Sequence, residues 1–169
     1  ELFLDPNTFS EDGSISLAGI FPSKDHKYCG YGIQKGGSDW VEFFVRDIET
    51  GNDLTDHIQW AKFTGMAWYK DGFYYSRYPK PEEEEKLKAK NECHNVYYHK
   101  LGDSQSEDSL IYRDNEHPQR SFHAGVTEDE KYMILYGSEG AAGENCLFYK
   151  DLEHDSDILS IVDNFDARY

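Results

Sequence analysis

Leu17-Ala18-Gly19-Ile20-Phe21, Pro22-Ser23-Lys24-Asp25-His26-Lys27 and Tyr28-Cys29-Gly30-Tyr31-Gly32-Ile33-Gln34 read as a short strand, a charged turn and a Tyr-led second strand. A loop and a third strand, Trp40–Ile48, complete the unit. The same order recurs twice. The second unit runs Gly65–Trp68, Tyr69-Lys70-Asp71-Gly72, Phe73–Tyr78 and Val96–Leu101. The third runs Phe122–Val126, Thr127-Glu128-Asp129-Glu130-Lys131, Tyr132–Gly137 and Cys146–Leu152. The period is roughly 45–60 residues, near the length of one four-stranded propeller blade. Blades stack around an axis, and about three of them rarely close a ring. The chain is therefore expected to be a piece of a larger protein, and Glu1 is not a natural start.

Composition agrees with an all-β chain. Of 169 residues, 15% are aromatic, with 13 Tyr and 10 Phe, and such side chains suit pleated, half-buried surfaces. In Val41–Ile48 one face carries Val41, Phe43, Val45 and Asp47 and the other Glu42, Phe44, Arg46 and Ile48. Apolar groups on both faces fit a sheet packed on both sides, as a blade is between its neighbours. The fold class is thus a β-propeller fragment of about three four-stranded antiparallel blades. Residues 1–13 are a lead-in from a preceding blade or linker, 14–60, 61–114 and 115–163 are the blades, and 164–169 open the next one. Fourth strands are expected at Leu54–Trp60, Leu110–Tyr112 and Asp157–Val162, and Gly51 supplies the positive φ of a tight turn. The second blade carries a charged insertion over 79–94, read as a surface loop because it has few apolar anchors.

The formal net charge of −16 excludes a nucleic-acid binder, because a phosphate backbone would be repelled and no basic stripe compensates. The excess carboxylate reads as a solvated surface, with a field that attracts cationic peptides as the alternative. Cys29, Cys93 and Cys146 are odd in number and far apart, so they imply no disulfide framework. A bacterial cytoplasm and a periplasm both accommodate them. No apolar run reaches the ~20 residues that span a bilayer, so no membrane partner is expected.

Local chemistry is sparse. Gly36-Gly37-Ser38-Asp39-Trp40 and Tyr136-Gly137-Ser138-Glu139-Gly140 each break the Gly-x-Ser-x-Gly spacing, so no catalytic serine is encoded. Cys93, His94 and His99 lack zinc-ligand regularity, and the histidines read as surface and strand-end residues. No carboxylate pair is marked out by apolar surroundings that would shift a pKa. Gly140–Gly143 has no following Lys-Ser/Thr, so it does not cradle phosphate. Trp40, Trp60 and Trp68 are read as blade packing, with ligand stacking as the alternative. No metal and no cofactor are implied.

Several segments in register resemble the opening propeller blades of the prolyl oligopeptidase family. They are Asp5-Pro6-Asn7, Gly37-Ser38-Asp39-Trp40, Asp47-Ile48-Glu49-Thr50-Gly51, Lys62-Phe63-Thr64-Gly65-Met66-Ala67-Trp68, Phe73-Tyr74-Tyr75-Ser76-Arg77-Tyr78, Tyr97-Tyr98-His99-Lys100-Leu101-Gly102, Ser104-Gln105-Ser106-Glu107-Asp108 and Val162-Asp163-Asn164-Phe165. The resemblance implies a seven-bladed propeller joined to an α/β-hydrolase domain, in a serine peptidase that cleaves short peptides after proline. The catalytic triad would lie in the hydrolase domain, outside this chain, so the parent is an enzyme and this piece alone is not. The propeller would gate access and line part of the pocket for short proline-containing peptides. By resemblance Phe63 is an apolar wall for the residue two before the proline, with Ser121, Phe122 and Ala141 near other substrate-binding positions. Ser138 stands where the family often has an Arg that hydrogen-bonds the peptide backbone. Two alternatives stay open: a non-catalytic propeller module that binds protein or glycan partners, and a peptidase of the same architecture that cleaves after basic residues. Cut blades expose apolar faces, so the isolated segment is expected to self-associate.

Overall fold

The structure is a computed structural model that describes residues 2–80, 92–140 and 143–169. Among the described residues twelve strands run in chain order: β1 Ile15–Pro22, β2 Tyr28–Lys35, β3 Val41–Asp47, β4 Asp53–Ala61, β5 Ala67–Tyr69, β6 Gly72–Arg77, β7 Asn95–Lys100, β8 Ser109–Tyr112, β9 Arg120–Val126, β10 Tyr132–Glu139, β11 Asn145–Asp151 and β12 Leu159–Val162. All pairings are antiparallel. β1 to β4 pair in sequence, and β5 to β8 do likewise. A single residue pair, Ala61 with Arg77, joins these two four-stranded groups. β9 to β12 form a separate four-stranded sheet. Most of the insertion read at 79–94 lies outside the described residues. Among the described residues no helix is long and apolar enough to cross a membrane.

The repeat is physical as well as textual. In the turn 23–28 the Ser23 hydroxyl donates to Asp25 Oδ1 (2.8 Å) and accepts from Tyr28 N–H (2.9 Å), with His26 at φ +58°. In the turn 127–132 the Thr127 hydroxyl donates to Asp129 Oδ1 (2.7 Å) and accepts from Tyr132 N–H (3.0 Å), with Glu130 at φ +58°. A hydroxyl and a carboxylate two residues apart thus replace ladder bonds at the bend. The two turns meet: Lys24 Nζ donates to the carbonyls of Thr127 (3.0 Å) and Glu128 (2.6 Å). The second unit bends more tightly, from Tyr69 to Gly72, with Lys70 at φ +50°. Gly51, at φ +70°, closes the β3–β4 turn.

Two cores lie between the three four-stranded groups. The first gathers Phe43, Val45, Ile58, Met66, Trp68, Phe73 and Tyr75. The second gathers Tyr74, Val96, Phe122, Met133, Leu135 and Cys146. β6 serves both, since Phe73 and Tyr75 point into one core and Tyr74 into the other. Strand alternation makes this obligatory for a sheet covered on both faces. Trp68 is a packing residue: its Nε1–H donates to Phe21 O (2.8 Å) and its ring meets Phe73 edge-on at 5.4 Å. Trp40 and Trp60 are half-buried and meet each other edge-on at 5.7 Å.

His94 and His99 overturn their surface reading. Both are buried, at 1% and 0% exposure. β7 begins at Asn95, so His94 precedes the strand and is not governed by its alternation.

Candidate functional site

Phe63, from the segment after β4, comes together with Ser121 and Phe122 of β9. They line one open depression of about 320 Å³, shared with His123, Tyr136 and Ser138. Phe63 follows the end of β4, and the residue is 58% exposed. Its φ of +54° is a left-handed conformation that bulky residues rarely adopt, so its surroundings must hold it there. They do so from both sides. Lys62 is buried beneath it, with Nζ 3.5 Å from Asp39 Oδ2 and over the rings of Trp40 (5.2 Å) and Phe63 (5.0 Å). On the other side the Thr64 hydroxyl accepts from Ser76 N–H of β6 (3.0 Å).

β9 supplies the opposite wall, where alternation separates Ser121 from Phe122. The Phe122 ring is buried against Tyr112 and Phe148, at 4.8 and 6.4 Å, so this residue offers the opening mainly its edge and backbone. Ser121 pairs in register with Ser138 of β10, and their hydroxyl oxygens lie 2.9 Å apart. Ser121 is therefore bonded to another hydroxyl, not to an imidazole base, and the arrangement suits binding an uncharged side chain. Ala141 lies outside the described residues. The guanidinium nearest in sequence to Ser121, that of Arg120, is held by Glu139 Oε2 (3.2 Å) and Asp114 Oδ2 (3.3 Å) and sits over the Phe165 ring.

His94 ties the two walls. Its Nε2–H donates to Lys62 O (2.8 Å), and its Nδ1 accepts from Phe122 N–H (2.9 Å). A carbonyl can only accept and an amide can only donate, so the ring is the neutral Nε2–H tautomer. Burial lowers its pKa to about 4, against the partial opposition of the Lys62 carbonyl.

A second buried group was not legible in the sequence. His99 stands between two carboxylates, with Nε2 2.9 Å from Asp56 Oδ1 and Nδ1 2.6 Å from Asp108 Oδ1, and all three side chains are 1% exposed. Tyr75 Oη–H donates to Asp108 Oδ2 (2.5 Å), and Gly102 N–H donates to Asp56 Oδ1 (2.7 Å). Burial alone would lower the His99 pKa, but Asp108 and Asp56 hold it up at about 9. Burial likewise pushes the Asp56 carboxyl up, and the bonds from His99 and Gly102 outweigh it, so the net shift is downward. The capping box Ser104–Glu107 folds a 3-10 turn at Gln105–Glu107 and so positions Asp108 against His99, but it does not mark the group as buried.

The two histidines predict a stability maximum near pH 6.5. Between pH 6.5 and about 4 the unfolded chain takes up a proton at His94 that the folded chain refuses, so stability falls with acid. Between pH 6.5 and about 9 the folded chain keeps a proton at His99 that the unfolded chain releases, so stability falls with base. Each limb is worth about 3 kcal/mol. Denaturation midpoints between pH 4.5 and 9 check this, and His94→Gln is expected to flatten the acid limb alone.

Comparison with known proteins gives concordant matches. A family model described as "Prolyl oligopeptidase, N-terminal beta-propeller domain" matches residues 1–169. The chain is 40% identical over 169 residues to a prolyl endopeptidase of Elizabethkingia meningoseptica, covering 99% of this chain and 24% of that protein. It is 37% identical over 173 residues to prolyl oligopeptidase A of Amanita bisporigera, covering 90% and 22%. A prolyl endopeptidase structure, solved in a study of inter-domain dynamics in catalysis and specificity, superposes with a TM-score of 0.89 at 28% identity, covering 99% of this chain and 23% of that one. Prolyl oligopeptidase B of Galerina marginata, bound to a 35mer hydrolysis and macrocyclization substrate, superposes at 0.86 with 30% identity, covering 98% and 25%. The chain thus spans about a quarter of the length of these relatives.

Proposed function

Because this chain belongs to the prolyl oligopeptidase family, as part of its N-terminal β-propeller domain, we propose that it gates and partly lines the peptide pocket of a longer serine peptidase that cleaves short peptides after proline. Residues 14–60, 61–114 and 115–163 are taken as three blades, 1–13 as a lead-in and 164–169 as the start of another. The single β4–β6 pair near residue 61 supports the first division. The catalytic serine, acid and histidine would belong to a separate domain of the parent. The substrate named in the Galerina marginata structure, a 35mer, supports a peptide as the ligand class.

The observation that carries the pocket reading is Phe63. An exposed aromatic ring held in a left-handed backbone, opposite Ser121 and Phe122 across an open depression, is costly to maintain and has a direct use as an apolar wall. In the full-length protein, Phe63→Ala is expected to raise KM about tenfold for peptides with a bulky residue two before the proline, leaving kcat within about twofold. Unchanged kinetics would return Phe63 to a structural role. The parent activity is tested by labelling with a serine-reactive fluorophosphonate. Labelling blocked by a proline-containing aldehyde supports the peptidase, and its absence in a folded protein favours a binding propeller.

The isolated segment is expected to self-associate. Tyr132, Tyr136, Leu159 and Ile161 are exposed on the last sheet, and Ile20 on the first. Apolar faces of this kind drive association. Light scattering over a dilution series checks it, and a monomer at every concentration would refute it.

A further inference from the structure

Under the candidate pocket, two separate sheets are joined through one side chain. His94 is 1% exposed and bridges the Lys62 carbonyl, at the end of β4, to the Phe122 amide on β9. β9 is one of the two edge strands of its sheet, so an amide directed off that edge has no ladder partner of its own. Lys62 immediately precedes Phe63, and Phe122 is itself part of the facing wall beside Ser121, so one bond is next to a pocket wall and the other within one. The imidazole is itself held. Tyr78 packs on its ring at 4.5 Å, and the preceding residue, Cys93, donates its N–H to Pro118 O (2.7 Å).

We propose that His94 is a positioning residue for this pocket: a rigid strut between the Lys62 carbonyl and the Phe122 amide that sets the distance from the Phe63 wall to the Ser121–Phe122 wall. The inference rests on the pocket reading given above. Its chemical basis is the shape of the ring. A planar imidazole places a donor and an acceptor on opposite sides at a fixed spacing, which no hydrocarbon supplies and which a flexible chain supplies less firmly. Without it, the bonds to a buried carbonyl and a buried amide are both lost, and the left-handed backbone at Phe63 loses one of its restraints. The wall would then stand at a variable distance, and the loss would fall on substrates that fill the gap.

The test uses the full-length peptidase and two peptides that differ only in the residue two before the proline, Phe or Gly. His94→Leu and His94→Asn are expected to raise KM for the Phe peptide by about five- to tenfold, with the Gly peptide and kcat within about twofold. His94→Gln keeps one donor and one acceptor and is expected to stay within about threefold of the parent enzyme. Equal losses on both peptides, a loss in kcat alone, or no change would overturn the inference. Should His94→Leu fail to fold, His94→Asn, which reaches one partner only, carries the same comparison with His94→Gln. Phe63→Ala separates the two claims. If it is selective for the Phe peptide and the His94 variants are not, the strut falls and the pocket stands. If Phe63→Ala changes nothing, the pocket reading falls and the strut with it.

Discussion

Replacing His99 with Leu is expected to lower stability by about 3–5 kcal/mol, the usual cost of removing one partner from a buried ionic group. The imidazolium lies between Asp56 and Asp108 at 2.9 and 2.6 Å and offsets one of their two negative charges, in a site where the three side chains are 1% exposed. Leu leaves two carboxylates facing each other across a hydrocarbon. Tyr75 still bonds one of them and Gly102 N–H the other, but Asp56 Oδ2 has no hydrogen-bond partner among the described residues even with His99 in place. The group also joins β4, β6, β7 and the 3-10 turn Gln105–Glu107, whose Gln105 amide clasps the Gln59 backbone at 2.9 and 3.1 Å. The loss should therefore spread through both four-stranded groups of the β1–β8 sheet. Chemical denaturation with far-UV circular dichroism reads the change. Adding Asp56→Asn and Asp108→Asn to His99→Leu is expected to recover part of the loss, because it removes the unpaired charges. A change below about 1 kcal/mol for His99→Leu would mean that the site is solvated.

Gly72→Ala should cost about 3 kcal/mol or more, a size reserved for core overpacking against atoms that cannot move aside. A Cβ at this position would lie 2.0 Å from the His99 carbonyl oxygen and 2.8 Å from the Tyr98 ring. The first of these is backbone in the β6–β7 ladder, where Gly72 pairs with Lys100, so no rotamer change relieves it. Gly36→Ala is the matched control. Nothing lies within 4 Å of its Cβ, and only its φ of +59° opposes the change, which sets its cost at about 1–2 kcal/mol. Thermal unfolding of both variants checks the ordering. Equal losses would show that backbone conformation, and not the clash, governs Gly72.

Much of the architecture was legible because it is written in local chemistry. The Ser23-x-Asp25 and Thr127-x-Asp129 turns carry their hydrogen bonds within six residues, and strand alternation follows from the pleat. All twelve strands fall on the segments where apolar and aromatic residues alternate or cluster, with ends displaced by one or two residues at most sites. Resemblance, not spacing, pointed to Phe63, Ser121 and Phe122, and their convergence on one depression depends on how two sheets lie against each other. His94 was misread because a histidine beside a charged insertion looks solvated. Its burial arises from packing against Tyr78 and Phe122, which lie 16 residues before it and 28 after it.

By itself, the sequence determined an all-β chain of repeated four-stranded units, the chemistry of its turns and the family to which it belongs. Each depends on residues close together in the chain, or on the order in which such segments recur. Only the tertiary structure decided which polar side chains lose water. Asp56, His99 and Asp108 come from a strand, a second strand and a turn, and nothing in their neighbours marks them as a buried charged group. The strut at His94 is of the same kind: Lys62, His94 and Phe122 are 32 and 28 residues apart, and only the packing of one sheet on another brings them within hydrogen-bond distance. Desolvation and long-range contact are properties of the assembled sheets, so the energies that hold this site were set where sequence neighbours no longer matter.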